Sequence, residues 1–210
     1  MTIYNLHSSV VGAHHSGAHI LPPDGKNEWD EDAEIFEFDV SLNGARALNE
    51  AEIGLLQRCR VELMQKPEKP LHCAGIQGSL MVVSVELADL IEQLCPAQHQ
   101  IIPLSNVWFK RAKEPSPGRY AAVLVMAYTR TVDLERSNIH RSYLPHLDKT
   151  AVVFTSSTLN SRVVFAAAEM GKTLWADDVT GALFCSDRFK EAVEAMPGLS
   201  GYHFGPCTEV

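Results

Sequence analysis

Four histidines near the start of the sequence come closest, by type and spacing, to a metal site. They are His7, His14, His15 and His19, and the last two have HxxxH spacing. Two ligands four residues apart share one face only in a helix, and Gly17 between them and two prolines just after them disfavour a helix. No acid or cysteine at a defined spacing completes a ligand set. The pattern favours a solvated loop, and a small metal-dependent enzyme that uses these histidines is the alternative.

Two serines occupy junctions between a predicted strand and a predicted helix, which is where many hydrolases place a nucleophile. Ser84 and Ser186 each follow an apolar run and precede a helical pattern. A strained nucleophile turn needs small flanking residues, but Val82 and Glu86 occupy those positions around Ser84. We interpret both serines as helix N-caps, because each hydroxyl can accept a hydrogen bond from a free backbone amide of the helix that follows.

Other nucleophilic arrangements are weakly supported. Cys185 and His203 could act as a pair only if the fold joined them, and a cysteine in an apolar strand is typical of a core. The sequence contains no GxSxG, GxGxxG, GxxxxGK or HExxH pattern. We therefore predict no cofactor and no enzymatic activity. An active site built from scattered residues stays open as an alternative.

The segment 24–39 carries eight acidic residues and one base, Lys26. Such a cluster is either a solvated loop or an acidic surface that steers the encounter with a basic partner. Trp29 within it is either an anchor for that partner or a pin that holds the loop to the core. The predicted partner-binding residues are Glu28, Trp29, Asp30, Glu31, Asp32, Glu34 and Glu37.

A basic loop at 110–119 contains four bases and two prolines. It could bind an anion, but no glycine-rich phosphate cradle or aromatic residue accompanies it. We interpret it as a solvated turn between strands.

The elements that position these residues include a unit that occurs twice, at 78–103 and 181–206. Each copy contains a glycine, an apolar run, a serine, a helical pattern, a proline break and a short apolar segment that ends in proline. The spacing i, i+3, i+4, i+7 gives each helix one apolar face. These faces consist of Leu87, Leu90, Ile91 and Leu94 in the first copy and of Phe189, Ala192, Val193 and Met196 in the second. We predict a strand, a capped helix and a strand in each.

The sequence predicts an α/β (or α+β) fold with a mixed sheet built on the two units and with an extra N-terminal strand and helix. Residues 1–27 are expected to be irregular, and 28–210 to form a single domain. Residues 161–170 carry signals for both strand and helix. The other predicted elements are an edge strand at 36–40, a helix from the Asn49 capping box to about Lys66, a central strand at 120–128 buried on both faces, a strand at 151–155 and a hairpin at 173–185.

The formal net charge of −8 argues against nucleic acid or an anionic membrane as the partner. Five widely spaced cysteines without a CxxC pattern indicate reduced thiols. The first residues lack the features of a signal peptide, and the longest apolar run is too short to span a bilayer. We expect a cytoplasmic protein, and the oligomeric state stays open.

Four stretches carry a resemblance to a known family. They are Leu80-Met-Val-Val-Ser84 with its helix, Ile101-Ile-Pro103, the segment 132–137, and the segment 183–194 followed by Tyr202-His-Phe204. Together they resemble immunity family eleven of the bacterial polymorphic-toxin systems, over about residues 78–206. The family is associated with immunity partners of toxins delivered between competing bacteria, and it brings no catalytic residues. The resemblance implies a protein that binds a cognate toxin and occludes its active site. A non-catalytic interaction module without a toxin partner is the alternative.

Overall fold

The chain is described by a computed structural model that covers most of the sequence. The described residues are 2–8, 18–21, 23, 46–63, 71–144, 149–154, 163–168, 170–198 and 201–210. His14, His15, the acidic segment and the strand predicted at 36–40 lie outside these ranges. The helices of the described part are α1 (Glu50–Arg58), α2 (Val85–Leu94) and α3 (Asp187–Glu194).

The first repeat forms a four-stranded sheet. Its strands, in spatial order, are β4 (Cys73–Gln77), β5 (Leu80–Ser84), β9 (Tyr120–Val125) and β6 (His99–Leu104). Because β9 is antiparallel to both β5 and β6, those two strands are parallel to each other, and α2 connects them. The first repeat therefore has the predicted order of strand, helix and strand, with another strand inserted between its two strands.

The second repeat has the same plan in a five-stranded sheet. The strands, in spatial order, are β10 (Tyr128–Thr129), β14 (Leu174–Asp177), β15 (Leu183–Cys185), β1 (Tyr4–Ser8) and β16 (Tyr202–Pro206). Here β1 is antiparallel to both β15 and β16, and α3 connects those two. The fold class predicted from the sequence, mixed sheets built on two related units, is confirmed.

Three further groups of strands complete the described fold. One sheet has the order β2 (Ala18–Leu21), β3 (Arg60–Leu63), β7 (Val107–Phe109) and β8 (Glu114–Pro115). The strands β11 (Ile139–Leu144) and β12 (Lys149–Phe154) form an antiparallel ribbon, and β13 (Val163–Val164) pairs in parallel with β17 (Thr208–Glu209).

The largest hydrophobic cluster lies between the two repeats and joins them. It includes Met81, Leu87 and Ile91 of the first repeat and Leu183, Phe189 and Val193 of the second. A second cluster fills the space between the first sheet and the β2-β3-β7-β8 sheet. Every residue of β9 is buried, as predicted for a strand covered on both faces. Each large apolar side chain buried in this way contributes roughly 1.5–3 kcal/mol.

The prediction for the helix after Asn49 is right about its start but places its end too far along the chain. The Asn49 side chain accepts a hydrogen bond from the amide of Glu52, and Glu52 completes the capping box. The helix ends at Arg58 rather than near Lys66, because β3 pairs with β2 on one side and with β7 on the other. Pairing along both edges of β3 outweighs the helical spacing of its apolar residues.

The prediction that residues 1–27 are irregular is wrong for β1 and β2. The β1 sequence has no apolar run, and its strand conformation comes from pairing with two neighbouring strands. In addition, the side-chain amide of Asn5 donates a hydrogen bond to the Leu183 carbonyl at 2.9 Å. The ambiguous stretch 161–170 contains both kinds of structure, since β13 precedes a short 3-10 turn at Ala166–Ala168.

Candidate binding cleft

The predicted partner-binding residues lie outside the described ranges. These are Glu28, Trp29, Asp30, Glu31, Asp32, Glu34 and Glu37. The nearest described elements are β2, which ends at Leu21, and α1, whose Glu52 pairs with Arg46. The acidic surface therefore stays a prediction.

The described residues form a cleft of about 460 Å³ where the two repeats meet the basic loop. That volume falls within the range of roughly 300–1,000 Å³ that is typical of ligand pockets. The cleft is bounded by the start of α2, by the end of the basic loop and by the turn that follows α3. Its lining residues are Leu71, His72, Ser84, Glu86, Pro117, Gly118, Arg119, Tyr120, Pro197 and Gly198.

A serine–histidine contact lies in this cleft. The Nδ1 atom of His72 is 2.9 Å from the Ser84 hydroxyl, and its Nε2 atom is 3.3 Å from the Pro197 carbonyl. Because a carbonyl can only accept, the proton is assigned to Nε2, and the Ser84 hydroxyl then donates to Nδ1. The Ser84 oxygen also accepts from the Leu87 amide at 3.3 Å, which confirms its prediction as an N-cap.

His72 was not among the residues that the sequence singled out, and a β-bulge explains why. In the hairpin of β4 and β5, Gly75 lies opposite Val82, but Cys73 rather than Ala74 lies opposite Val83. This shift by one residue brings His72 opposite Ser84, where the Ser84 amide donates to the His72 carbonyl at 2.8 Å. A regular hairpin would place Cys73 there, and no sequence pattern marks the bulge.

Among the described residues, the three helix amides beside the serine–histidine contact already have acceptors. The Val85 amide donates to the Arg119 carbonyl, and the Leu87 amide donates to the Ser84 hydroxyl. The Glu86 amide is bound by the carboxylate of the same residue, which is the main cause of the lowered pKa of Glu86. An oxyanion hole needs free donors, and these amides are already used. The contact is therefore suited to holding the cleft in shape.

The start of the second repeat helix differs from the first. Ser186 occupies the N-cap position of α3, but its side chain makes no capping hydrogen bond, so this part of the prediction is wrong. Instead, the Asp187 carboxylate accepts a hydrogen bond from the Thr2 amide at 2.7 Å and another from the Tyr4 hydroxyl at 3.1 Å. Thr2 and Tyr4 therefore contact the first residue of this helix.

The other candidate chemical groups are not assembled into a site. Cys185 is buried in β15, and His203 is exposed in β16, with β1 between the two strands. His7 lies across from His203 with ring centroids 6.4 Å apart, whereas His19 belongs to β2 in another sheet. Within the described ranges, no group of three or more His, Cys, Asp or Glu side chains could hold a metal ion.

The basic loop splits into two parts with different contacts. At its start, the Lys110 ammonium is 3.7 Å from the Glu62 carboxylate, which also pairs with Arg60 at 3.0 Å. At its end, Arg119 lines the cleft. The loop therefore does not gather its bases into one anion site. No helix in the described ranges is both long enough and apolar enough to cross a membrane.

Comparison with models of protein families gives a match. The model of an immunity protein family, Imm11, matches residues 40–209. The matched region contains both repeats and the whole cleft, and it begins after the acidic residues 28–37. No curated protein matches the chain.

Proposed function

The chain belongs to the Imm11 immunity protein family, and we propose that it binds one cognate bacterial toxin in the cytoplasm and neutralises it by occluding the toxin's active site. The observation that carries this proposal is the family match over residues 40–209. The chemistry of the cleft agrees with a binding role, because its hydroxyl and helix amides are committed to internal hydrogen bonds.

The acidic segment is proposed as part of the toxin-binding surface. It consists of Glu28, Trp29, Asp30, Glu31, Asp32, Glu34 and Glu37. A net charge of −8 favours association with a basic partner and speeds the encounter. Trp29 supplies the large apolar side chain that typically anchors such an interface.

Coexpression with the toxin tests the function directly. The toxin encoded by the adjacent gene is produced in cells at a graded dose, with and without this protein. We expect survival at doses that kill cells lacking it, together with copurification of the two proteins. Equal killing at every dose would disprove the immunity function.

The acidic surface is tested separately by charge reversal. The triple variant Asp30→Lys, Glu31→Lys, Asp32→Lys should bind the toxin more weakly, with a smaller dependence of affinity on salt. A matched control reverses three exposed acids elsewhere, Asp89, Glu92 and Glu135, and so changes the net charge equally. If both triple variants lose the same affinity, only net charge matters and the acidic segment is not the interface.

A further inference from the structure

The cleft presents opposite charges from two different elements that are not joined in a salt bridge. The exposed side chain of Glu86 comes from the first turn of α2, and the exposed side chain of Arg119 comes from the end of the basic loop. No salt bridge joins these two side chains, both of which belong to the described ranges. Because no salt bridge joins them, both side chains are available to a bound group.

Glu86 is ionised and can accept further hydrogen bonds. Its own backbone amide lowers its pKa most, and the nearby charge of Arg119 lowers it further, against the opposing effect of burial. A carboxylate offers about four acceptor positions, and the contacts within the protein use only part of them. On the other side of the cleft, the Arg119 guanidinium offers five donors.

The first turn of α2 does not make this a simple anion site. A free helix N-terminus attracts anions through its unpaired amides. Here the amides of Val85, Glu86 and Leu87 already have acceptors. Since Glu86 also repels negative groups, a bound anion would have favourable contacts only with Arg119.

The rest of the lining is apolar or neutral. Leu71, Pro117 and Pro197 contribute hydrocarbon surface. At Gly198 an added Cβ would meet nothing within 4 Å, so there is room for a close approach of another chain. The site thus combines an acceptor, a donor and an apolar surface. An extended peptide segment has the complementary set, because each residue offers an N–H donor and a carbonyl acceptor next to its side chain.

We propose that this cleft binds an extended segment of the toxin chain, with an N–H group of that segment on the Glu86 carboxylate and a carbonyl oxygen of it on the Arg119 guanidinium. The inference rests on the proposed immunity function and adds a second contact surface to the acidic segment. It places that surface inside the region shared with the family, between the two repeats.

Calorimetry with the toxin domain encoded by the adjacent gene tests the proposal. Glu86→Gln and Arg119→Gln should each weaken binding about tenfold, which is the expected loss for a hydrogen bond to a charged group. Matched controls remove the same charges close by: Glu92→Gln lies on the exposed face of α2, and Arg111→Gln lies in the same loop. These controls should bind like the wild type.

Two further measurements distinguish the outcomes. Pro117→Trp fills the cleft from its exposed rim and should weaken binding without changing either charge. The imidazole resonances of His72 should shift when the toxin binds to the wild type. If all three cleft variants bind like the controls and the His72 signals do not move, the cleft proposal is wrong and the immunity function still stands. If the wild type itself does not bind the toxin, the function fails and this inference with it.

Discussion

His99 is a histidine that the fold holds away from hydrogen-bond partners. It begins β6, 7% of its surface is exposed, and neither ring nitrogen meets a partner in the described part of the chain. Burial lowers its pKa, against a smaller opposing effect of the Glu92 charge. The folded protein therefore favours the neutral form of the His99 imidazole.

This burial predicts a loss of stability in mild acid. Because the pKa of His99 is lower in the folded state, the unfolded chain binds more protons as the pH falls below about 6.5. The free energy of unfolding should therefore decrease from pH 7.5 to pH 5.5. His99→Gln should reduce this decrease, as measured by urea unfolding at both pH values. An equal pH dependence in the two proteins would show that His99 does not titrate in this range.

At the scale of elements, the two repeat helices begin in different ways. Ser84 caps α2 and also contacts His72, whereas Ser186 makes no capping hydrogen bond to α3. The likeness in sequence therefore extends to the position of the serine and not to its contacts. The bulge in β4 gives the first helix a histidine partner, and the chain before β1 gives the second helix its own contacts through Asp187.

The matched substitutions Ser84→Ala and Ser186→Ala measure this difference. Ser84→Ala should lower the free energy of unfolding by about 1–2 kcal/mol, since it removes a cap and leaves His72 without its hydroxyl partner. Ser186→Ala should lower the free energy of unfolding by about 0.5 kcal/mol or less, because no capping hydrogen bond is lost. Thermal or urea unfolding of the two variants gives the comparison, and equal losses would contradict the assigned capping contacts.

The elements that the sequence predicts well are those fixed by local signals. The Asn49 capping box, the apolar faces of α2 and α3 and the buried run of β9 all appear as expected. The end of α1 and the strand β3 depend on pairing with distant strands, which local spacing does not contain. The cleft could not be predicted for the same reason, since the bulge that positions His72 leaves no mark in the sequence.

At the scale of the whole molecule, the turn after α3 packs closely against the start of β4. Gly201 has a φ angle of +91°, and a Cβ atom there would lie 2.0 Å from the Cys73 carbonyl oxygen. Nearby, the Tyr202 hydroxyl is 3.7 Å from the Met81 sulfur, and His72 contacts the Pro197 carbonyl. The two repeats are therefore held together by backbone contact as well as by their shared core.

Gly201→Ala should weaken this contact strongly. An alanine there has to adopt a positive φ, and its methyl group has to displace the Cys73 backbone. We expect the free energy of unfolding to fall by about 3 kcal/mol. Gly198→Ala is the matched control: it also has a positive φ of +71°, but a Cβ there meets nothing within 4 Å, so only the backbone cost of about 1 kcal/mol applies. Similar melting temperatures for the two variants would show that the close contact is not tight in solution.

The strands inserted into the two repeats come from different parts of the chain, which has a consequence for folding during synthesis. The strands of the first sheet all lie between residues 73 and 125, so that sheet can form as soon as this stretch has left the ribosome. In the second sheet, β1 pairs with β15 and β16, about 180–200 residues further along. β1 is synthesised well before these two strands and cannot pair with them until they have left the ribosome. A chain truncated before β15 would therefore lack β15, α3 and β16, and with them the side of the cleft that the turn after α3 provides.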